Sequence, residues 1–578
     1  MGLPIVIIMF LCLLVLSKIT QKISFSQFFE ENFSDGGFLY YKKLLLHLRK
    51  PILSAKTMAT PHNYPTGRAD FESIINEGFI YVDKTERMYE MIGKRKFVFL
   101  SRPRRFGKSL LVNTLCAYFE GKKELFKGLK ISEYEKDWIQ YPVIKLDMSV
   151  IKDKEIGQMS ASIGKQLEKF EKQYSIPIDK QISNGDRFQT IIETAKAQTG
   201  RNVVVLIDEY DAPLNAHLYD GNLMEVKRIV QEIYQLLKVM EKDERFVFIT
   251  GISKFSQVSI FSTINNLDKI SMWDQFSDIC GITHEELHRY FKEDIEFLAD
   301  KHHSSYEEMM KQLVYQYDCY HFSKNSPAMF NPTSILNAFA EGELNNHWFG
   351  TATSSYIIDH LKRHNADIKK LVPKTLFADD FDVSPEDYDS LWPILYQAGY
   401  LTIKGYLPER KQYVLDYPNN EVRVGMMQNM IHYYFYPNNL SSGKNYMTDF
   451  YFSLKEGQID EAFTFLKDFL STIPNVLNNK EEKHFQTILY VMFTWLGFYT
   501  EVEVNTAVGR TDVVIKNAKN IFVLELKVDG SSADALAQIN SKNYAIPYKY
   551  DGREIVKIGV NISSENNVRT ITDWLVER

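Results

Sequence analysis

The sequence contains few cysteines. Four occur in 578 residues, at Cys12, Cys116, Cys280 and Cys319, and no two of them form a C-x-x-C pair. This scarcity argues against a disulfide framework and against a cysteine-based zinc site, and it is typical of proteins in a reducing compartment. We therefore expect a cytoplasmic protein.

The sequence also lacks an excess of positive charge. Lys and Arg total 68 against 74 Asp and Glu, which gives a formal net charge of −6. This balance excludes a protein that covers nucleic acid with its whole surface, so any such contact must use a local patch such as Arg102, Arg104 and Arg105. The chain length predicts three or four domains of ordinary globular composition.

An apolar run of the roughly 20 residues that a membrane-spanning helix needs is missing as well. Residues 4–16 are almost wholly apolar but too short, and no positive charge precedes them as in a signal peptide. Lys18 and Lys22 follow, as in a cytoplasmic N-terminal anchor. Met58, where globular patterning begins, offers an alternative start. Residues 1–57 are thus an anchor, a cleaved signal, or an extension outside the working protein.

What the sequence does contain is a strand–loop–helix pattern near residue 100. Val98–Leu100 suits a buried strand, Arg102–Ser109 ends in Gly-Lys-Ser, and Leu110–Leu115 has helical spacing. In such units the backbone N–H groups of the loop and of the helix N-terminus face phosphate oxygens. The loop residues that we expect to bind a nucleotide are Arg104, Arg105, Phe106, Gly107, Lys108 and Ser109.

Two side chains of this loop have specific expected roles. Lys108 would reach the β- and γ-phosphates of a nucleoside triphosphate, and the Ser109 hydroxyl would bind Mg²⁺. The usual pattern is G-x-x-x-x-G-K-[ST], and Arg102 stands where its first Gly belongs. From these residues alone, an ordinary basic turn between a strand and a helix stays open as an alternative.

A second apolar run ends in two acids and strengthens the nucleotide interpretation. Val203–Ile207 fits a central parallel strand buried on both faces, and Asp208 and Glu209 follow it. Carboxylates at that end of a strand lie where ligands bind in α/β sheets. We expect Asp208 to hold Mg²⁺ and Glu209 to polarise the attacking water.

A further strand, Arg245–Thr250, is followed by polar residues. Thr250 or Ser253 is a candidate for a polar group that senses the γ-phosphate. The alternative is a strand that simply runs into a turn.

A separate set of polar residues occurs near the C-terminus. Asp512, Glu525 and Lys527 form the pattern D-x(12)-E-x-K on two successive predicted strands, and strand alternation puts Glu525 and Lys527 on one face. Carboxylates on one edge can bind Mg²⁺ against a phosphate, while Lys527 can orient water and stabilise charge. Glu482, from the preceding helix, would complete the metal shell. Gln538 would face the site from the following helix.

Several motifs together resemble an AAA-ATPase-like family that is common in gut bacteria. They are Tyr81–Thr85, Arg102–Ser109, Ile207–Asp211, Thr250–Lys254, Phe330–Leu336 and Trp348–Thr353. The resemblance covers about residues 62–578 and implies that Arg102 in place of Gly is normal for the family. Members often carry a C-terminal PD-(D/E)XK nuclease-like domain. The C-terminal pattern resembles that domain, except that Thr511 precedes Asp512 where Pro is usual.

The resemblance implies an α/β protein with the parallel sheet of a P-loop NTPase, a helical connector and a restriction-endonuclease-like α/β domain. The expected parts are the extension (1–57), the ATPase-like domain (58–345), the connector (346–475) and the nuclease-like domain (476–578). ATP and Mg²⁺ are the implied cofactors, and ATP hydrolysis coupled to Mg²⁺-dependent cleavage of DNA or RNA is the implied activity. An ATP-regulated scaffold with an inactive nuclease fold, a membrane-anchored NTPase and a homo-oligomer stay open.

Overall fold

The structure is a computed structural model, and every residue that it describes belongs to the unit His62–Arg578. The described residues are 62–152, 155–253, 266–348, 361, 371–383, 391–435, 449–471, 482–496, 499–506, 509–517, 519–565 and 568–578. The predicted extension over residues 1–57 lies outside them, and so does its apolar segment 4–16. Within the described ranges, every helix is too short or too polar to cross a membrane.

A five-stranded sheet forms the centre of the N-terminal half. Its strands are β1 (Phe97–Ser101), β2 (Val143–Asp147), β3 (Val203–Asp208), β4 (Glu244–Gly251) and β5 (Asp268–Lys269). The spatial order is β2-β3-β4-β1-β5, and every neighbouring pair is parallel. β1 and β3 are buried along their whole length, as expected for continuous apolar runs covered on both faces. Because the strands are parallel, the residues that follow β1, β3 and β4 meet at one edge.

Helices cover both faces of this sheet. They are α1 (Phe71–Asn76), α2 (Thr85–Lys94), α3 (Lys108–Phe119), α4 (Ile131–Tyr134), α5 (Ile156–Gln173), α6 (Asn184–Thr199), α7 (Ala212–Ala216), α8 (Leu223–Tyr234) and α9 (Leu236–Val239). Local sequence sets the bounds of α6. The Ser183 side chain accepts a hydrogen bond from the Asp186 N–H at its start, and Gly200 ends it in the left-handed conformation.

The described residues between the two five-stranded sheets are mostly helical, and they include the end of the predicted ATPase-like domain (58–345) and part of the predicted connector (346–475). Their helices are α10 (His284–Tyr290), α11 (Lys292–Lys301), α12 (Tyr306–Tyr317), α13 (Pro332–Glu341), α14 (Leu391–Ala398), α15 (Asn420–Phe435) and α16 (Ile459–Ser471). They also include short antiparallel strands, namely β6 (Ile282–Thr283) with β7 (Met329–Phe330), and β8 (Lys374–Phe377) with β10 (Gln412–Asp416) and β9 (Thr402–Leu407). The sheet β8-β10-β9 was not predicted from the sequence.

A second five-stranded sheet forms the C-terminal part. Its strands are β11 (Tyr499–Thr506), β12 (Gly509–Lys516), β13 (Asn520–Val528), β14 (Glu554–Glu565) and β15 (Val568–Glu577), in that spatial order. Only the pair β13–β14 is parallel, and α18 (Ser532–Ser541) lies in its connection. α17 (Glu482–Trp495) precedes the sheet. The predicted order of a helix with Glu482, two successive strands and a helix with Gln538 is therefore confirmed, and β11 precedes the two strands.

Candidate functional sites

The loop between β1 and α3 lies at the edge where the parallel strands end. Gly107 has φ = +90°, a conformation that only glycine adopts without strain, and it begins α3 without a side-chain cap. Arg105 has φ = +69°, which is uncommon for a residue with a side chain and occurs where the surroundings enforce it. The first N–H groups of α3 therefore lack a capping side chain at the point where a phosphate is expected to bind.

Lys108 turns its ammonium group back into this loop. The side chain is buried, and Nζ donates to the carbonyl oxygens of Arg102 and Pro103 at 3.0 Å each. Burial lowers the pKa of Lys108, and the nearby carboxylates of Glu209 and Asp208 oppose that shift. The ammonium group is thus positioned by neutral loop carbonyls beside two acids.

The acids at the end of β3 lie against the same loop. Asp208 is 7% exposed and accepts from the Glu209 N–H at 3.0 Å, and the Ser109 side chain lies near enough to lower its pKa. Burial raises the pKa of Asp208 and of Glu209, and Lys108 partly offsets both shifts. Ser109 and Asp208, the two residues predicted to hold Mg²⁺, are thus brought together. Buried carboxylates with raised pKa values are a favourable environment for a cation.

A cleft of about 890 Å³ opens over these groups, a volume within the usual range of ligand pockets. The predicted residues that line it are Arg104, Arg105, Gly107, Lys108, Ser109 and Glu209. Burial lowers the pKa of Arg105, and its neighbour Arg104 lowers it further. Residues 65–69, which precede α1, form another part of the wall and were not predicted to do so.

Phe106 does not turn its side chain toward this cleft. The ring is fully buried and lies edge-on to the rings of Tyr320 and Phe322, with centroids 4.8 and 5.1 Å away. The Phe106 carbonyl accepts from the Gly281 N–H at 3.2 Å. The predicted contribution of Phe106 to nucleotide binding is therefore limited to its backbone.

Arg102 is also buried, and the prediction that it belongs to a surface basic patch is wrong. Its guanidinium donates to the carbonyl oxygens of Ser101, Ser271, Phe276 and Ser277 at 2.7–3.3 Å. The same group lies 4.2 Å above the Phe322 ring. The side chain at the position of the missing glycine thus anchors the loop to the segment that follows β5.

The hydroxyl groups of both candidate γ-phosphate sensors, Thr250 and Ser253, donate hydrogen bonds to other parts of the fold. The Thr250 hydroxyl donates to the Leu100 carbonyl at 2.7 Å, inside the sheet. The Ser253 hydroxyl donates to Asn215 Oδ1 at 3.1 Å, and the Ser253 N–H donates to Asp211 Oδ2 at 2.6 Å. Neither hydroxyl lines the cleft, whereas Asn215 and Asp211 do.

Sequence reasoning did not assign Asn215 or Asp211 to the site. Asp211 had a detectable signal, because it ends the same acidic motif as Asp208. No sequence signal pointed to Asn215. It lies one helical turn after Asp211, in α7, and its Nδ2 donates to Asp211 Oδ2 at 2.8 Å.

The C-terminal acids lie on adjacent antiparallel strands. Val513 pairs with Leu524, a register that puts Asp512 opposite Glu525. Asp512 is nearly buried, and its two carboxylate oxygens accept from Gln486 Nε2 at 2.8 Å and from the Leu526 N–H at 2.7 Å. The Thr511 hydroxyl donates to the Leu524 carbonyl at 3.3 Å. Thr511, within β12, thus makes a cross-strand bond at the position where proline is usual.

The remaining predicted residues surround Glu525. Lys527 Nζ donates to Glu525 Oε1 at 3.2 Å and to Gln538 Oε1 at 2.7 Å, and Gln538 Nε2 donates to Glu525 Oε1. The structure therefore brings Glu525, Lys527 and Gln538 together, as the sequence predicted.

The predicted metal shell at this end is only partly described. The Glu482 side chain lies outside the described residues, although its backbone begins α17. Gln486, one helical turn later, was missed because a glutamine is not a metal ligand of the pattern. Among the described residues there is no group of three or more His, Cys, Asp or Glu that could hold a metal, so the Mg²⁺ site at Asp512 and Glu525 stays a prediction.

Comparisons with known proteins agree with this arrangement of two sites. Residues 65–261 match a family described as predicted AAA-ATPase, and residues 480–574 match the PD-(D/E)XK nuclease superfamily. An uncharacterized protein in the vnfD 5′ region of Azotobacter chroococcum mcd 1 is 30% identical over 532 residues, which cover 89% of this chain and 98% of that one.

Among solved structures, the crystal structure of Cdc6p from Pyrobaculum aerophilum covers 64% of this chain and 93% of its own. The identity is 10% and the TM-score is 0.22, too low to carry an argument about the fold. The two family matches and the near full-length relative agree with the loop, the acids and the C-terminal strand pair described above. The chain belongs to the family of predicted AAA-ATPases that carry a C-terminal domain of the PD-(D/E)XK nuclease superfamily.

Proposed function

We propose that the chain hydrolyses ATP with Mg²⁺ in the cleft over the β1–α3 loop, and that this turnover is coupled to cleavage of DNA or RNA by the C-terminal domain. The observation that carries the proposal is the approach of Asp208, at the end of β3, to the Ser109 side chain and to the buried ammonium of Lys108. It joins the end of the phosphate loop to the end of β3, so that cation-binding and phosphate-binding groups share one edge of the sheet.

The residues present fit these ligands. Lys108 would exchange its bonds to loop carbonyls for bonds to the β- and γ-phosphates, and Arg104 and Arg105 would contact phosphate from the cleft wall. Ser109 and Asp208 would hold Mg²⁺, which supplies neutralisation of phosphate charge when bound. Glu209 lines the cleft and would orient and polarise the attacking water.

Substitutions at the end of β3 test the ATPase part. Asp208→Asn should weaken the Mg²⁺-dependent component of ATP binding, because it removes a charged ligand. Glu209→Gln should keep binding and stop turnover, because it removes only the group that polarises water. Binding by calorimetry and phosphate release in steady state separate the two effects. The exposed Glu307→Gln is the control and should change neither, whereas hydrolysis by Glu209→Gln at the parent rate would refute the role of Glu209.

For the C-terminal site, we propose that Asp512 and Glu525 hold Mg²⁺ together with Glu482. Lys527 would stabilise charge at the attacked phosphate, and Gln538 holds both Lys527 and Glu525 in place. The test is a cleavage assay on single- and double-stranded DNA and RNA, with and without ATP. Cleavage should stop in chelator and return with Mg²⁺ or Mn²⁺.

Two variants divide the roles at this site. Asp512→Ala should lose both metal binding and cleavage, since it removes a ligand. Lys527→Ala should lose cleavage and keep metal binding, since an ammonium group is not a ligand. Lys519→Ala, in the exposed hairpin turn, is the matched control and should cut as the parent does. Equal cleavage by Lys527→Ala and the control would contradict the assignment.

A second function, binding of nucleic acid without cleavage, is supported by one observation. Both oxygens of Asp512 already accept hydrogen bonds within the protein, and Lys527 already donates to Glu525 and Gln538. A chain that binds no divalent metal here and cuts no substrate under any nucleotide condition would be such an ATP-regulated scaffold. The membrane-anchored alternative depends on residues 4–16, and fractionation of the full chain tests it.

A further inference from the structure

A second cleft, of about 760 Å³, lies at the opposite edge of the parallel sheet from the nucleotide cleft. Its lining includes Pro142 and Val143 at the start of β2, and Arg201 just before β3. The nucleotide cleft is lined by residues that follow β1, β3 and β4. Because all five strands are parallel, the two clefts are separate sites at the two ends of the strands.

Positive charge dominates this second cleft, which we call the basic cleft and define by Lys122, Lys145, Lys169 and Arg201. Glu120 is the single acid in its described lining. Such an excess is unexpected in a chain whose net charge is −6. It provides the kind of local patch that nucleic-acid binding requires in a protein without overall positive charge.

Among the described residues, most of this charge has no acidic partner. Lys122 is paired, since its Nζ lies 2.9 Å from Glu72 and 2.8 Å from Glu120. Within the described ranges, Lys145, Lys169 and Arg201 have no carboxylate within 4 Å. Three cations without an acidic partner therefore face one cavity.

Lys145 is the most informative of the three. It lies within β2, is half-buried, and its Nζ donates to the neutral Asn113 Oδ1 at 2.5 Å. A partly desolvated ammonium group whose hydrogen-bond partner is an uncharged amide is stabilised by an anion. A lysine that served only to keep the surface soluble would not need to be placed inside a strand.

Aromatic rings accompany these cations. The guanidinium carbons of Arg201 and Arg245 each lie 5.8 Å from the centroid of the Tyr141 ring, and Tyr174 also lines the cleft. Burial raises the pKa of Tyr174, so its hydroxyl stays neutral and adds no negative charge. Cations that follow a phosphate backbone, together with rings that stack on bases, are the combination that binds single strands.

Helix direction decides which kind of anion suits the cleft. The lining includes residues at or near the C-terminal ends of α3, α5 and α6, where the helix dipole is negative. Such ends disfavour a concentrated charge such as a triphosphate. Side-chain cations spread over several elements suit a backbone with one charge per phosphate.

We propose that the basic cleft binds the phosphodiester backbone of single-stranded nucleic acid. The proposal rests on the proposed function, because it assigns to the ATPase domain a contact with the substrate of the C-terminal domain. Lys145, Lys169 and Arg201 would bind the phosphates of the nucleic acid, and the Tyr141 ring would be available to stack on a base.

The test is the binding of a fluorescently labelled single-stranded oligonucleotide to the full chain in chelator, followed by anisotropy over a range of salt concentrations. The variant combines Lys145→Gln, Lys169→Gln and Arg201→Gln. At low salt its affinity should fall at least tenfold. The slope of log K against log salt should become shallower by about 2, since each phosphate contact on a single strand contributes about 0.7. Unchanged ATP affinity checks that the variant is folded.

A matched control combines Lys292→Gln, Lys311→Gln and Arg410→Gln, which remove the same charge from residues that do not line the cleft. It should bind the oligonucleotide as the parent does. If the triple variant in the cleft does not fold, the exposed single changes Lys169→Gln and Arg201→Gln keep the test available, each with a smaller loss.

Three outcomes are informative. Parent-like binding and salt slope in the cleft variant would overturn the proposal. Free AMP or inorganic phosphate could compete with the labelled oligonucleotide as effectively as unlabelled oligonucleotide does. That result would assign the cleft to a small phosphate ligand and would also overturn the proposal. Because the assay contains no divalent metal, binding through the cleft without cleavage in Mg²⁺ would refute only the nuclease part of the proposed function.

Discussion

Lys108 is the residue on which the proposed nucleotide site most depends. We expect Lys108→Ala to lower ATP affinity at least tenfold, because the loop would lose the cation that reaches the phosphates. Titration calorimetry measures this directly. The exposed Lys123→Ala should bind as the parent does. Equal affinity for the two variants would show that the Gly-Lys-Ser sequence is only a turn.

Glu244 offers a test by pH. The side chain is almost fully buried, and neither of its carboxylate oxygens has a hydrogen-bond partner among the described residues. The pKa of Glu244 is raised to about 8, chiefly by burial and further by the acids Glu241 and Asp243, while Lys96 opposes the shift. The folded chain therefore keeps a proton that the unfolded chain loses near pH 4.5.

Between these two pH values the folded state binds more protons, so the free energy of unfolding contributed by Glu244 falls as the pH rises. We expect Glu244→Gln, which is neutral at every pH, to be stabilised relative to the parent more at pH 8 than at pH 5. The difference should be on the order of a kcal/mol or more. Urea unfolding at the two pH values measures it. A difference independent of pH would contradict the prediction, and the exposed Glu193→Gln serves as control.

Residues within one local motif were predictable, whereas those joined by long-range contacts were not. Lys108, Ser109, Asp208 and Glu525 lie in short patterns whose spacing encodes their placement. Asn331 does not, since its Nδ2 reaches the Arg104 carbonyl only because the fold brings α13 to the loop. No pattern of neighbouring residues contains that information.

At the scale of elements, the end of β4 is fixed by a close approach between backbone and side chain. A Cβ built on Gly251 would lie 2.2 Å from Asp211 Oδ1. The same carboxylate accepts from the N–H groups of Ile252 and Ser253, which follow the strand. Glycine at this position thus lets one acid hold the turn that borders the nucleotide cleft.

We expect Gly251→Ala to lower the free energy of unfolding by about 1–3 kcal/mol, as other overpacked sites do. Gly93→Ala is the control. Gly93 lies in α2, and a Cβ added to it would meet no atom of the described residues within 4 Å, so its replacement should raise stability by about 0.5–1 kcal/mol. Chemical denaturation of both variants checks the opposite signs. A stable Gly251→Ala chain would mean that Asp211 can move without cost.

Elements differed in how far the sequence predicted them. β1 and β3 were predictable because continuous apolar runs suit strands buried on both faces. The sheet β8-β10-β9 was missed because its strands are short and only partly buried, so they carry little hydrophobic pattern. The pairing of these strands is set by long-range contacts, so the neighbouring residues in the sequence do not predict it.

At the scale of the whole molecule, the middle of the chain touches the phosphate loop directly. The Thr333 hydroxyl donates to the Arg105 carbonyl at 3.4 Å, and a Cβ on Gly399 would lie 2.6 Å from the Pro103 side chain. Ser334, in α13, donates to Glu421 in α15 at 2.7 Å. Helix α13 and the residue that follows α14 thus lie against the loop, and α13 in turn contacts α15.

We expect a slowly hydrolysed ATP analogue to change amide hydrogen exchange in α13 and α14, because both regions contact the loop that would close on phosphate. Mass spectrometry with and without the analogue measures this. The change should vanish in Lys108→Ala, which serves as the control. Equal exchange throughout, despite bound analogue, would show that the loop does not transmit its state to these helices.

The parallel arrangement of the first sheet has one more consequence. β3 ends at Asp208 in the proposed nucleotide site and begins just after Arg201 in the basic cleft, and the six residues of β3 span about 20 Å. A nucleotide bound at one end of β3 and a single-stranded nucleic acid bound at the other end could not touch each other. Any influence of one ligand on the binding of the other would then be a free energy of coupling, and this coupling would be reciprocal. The factor by which ATP changes the affinity for the nucleic acid would equal the factor by which the nucleic acid changes the affinity for ATP.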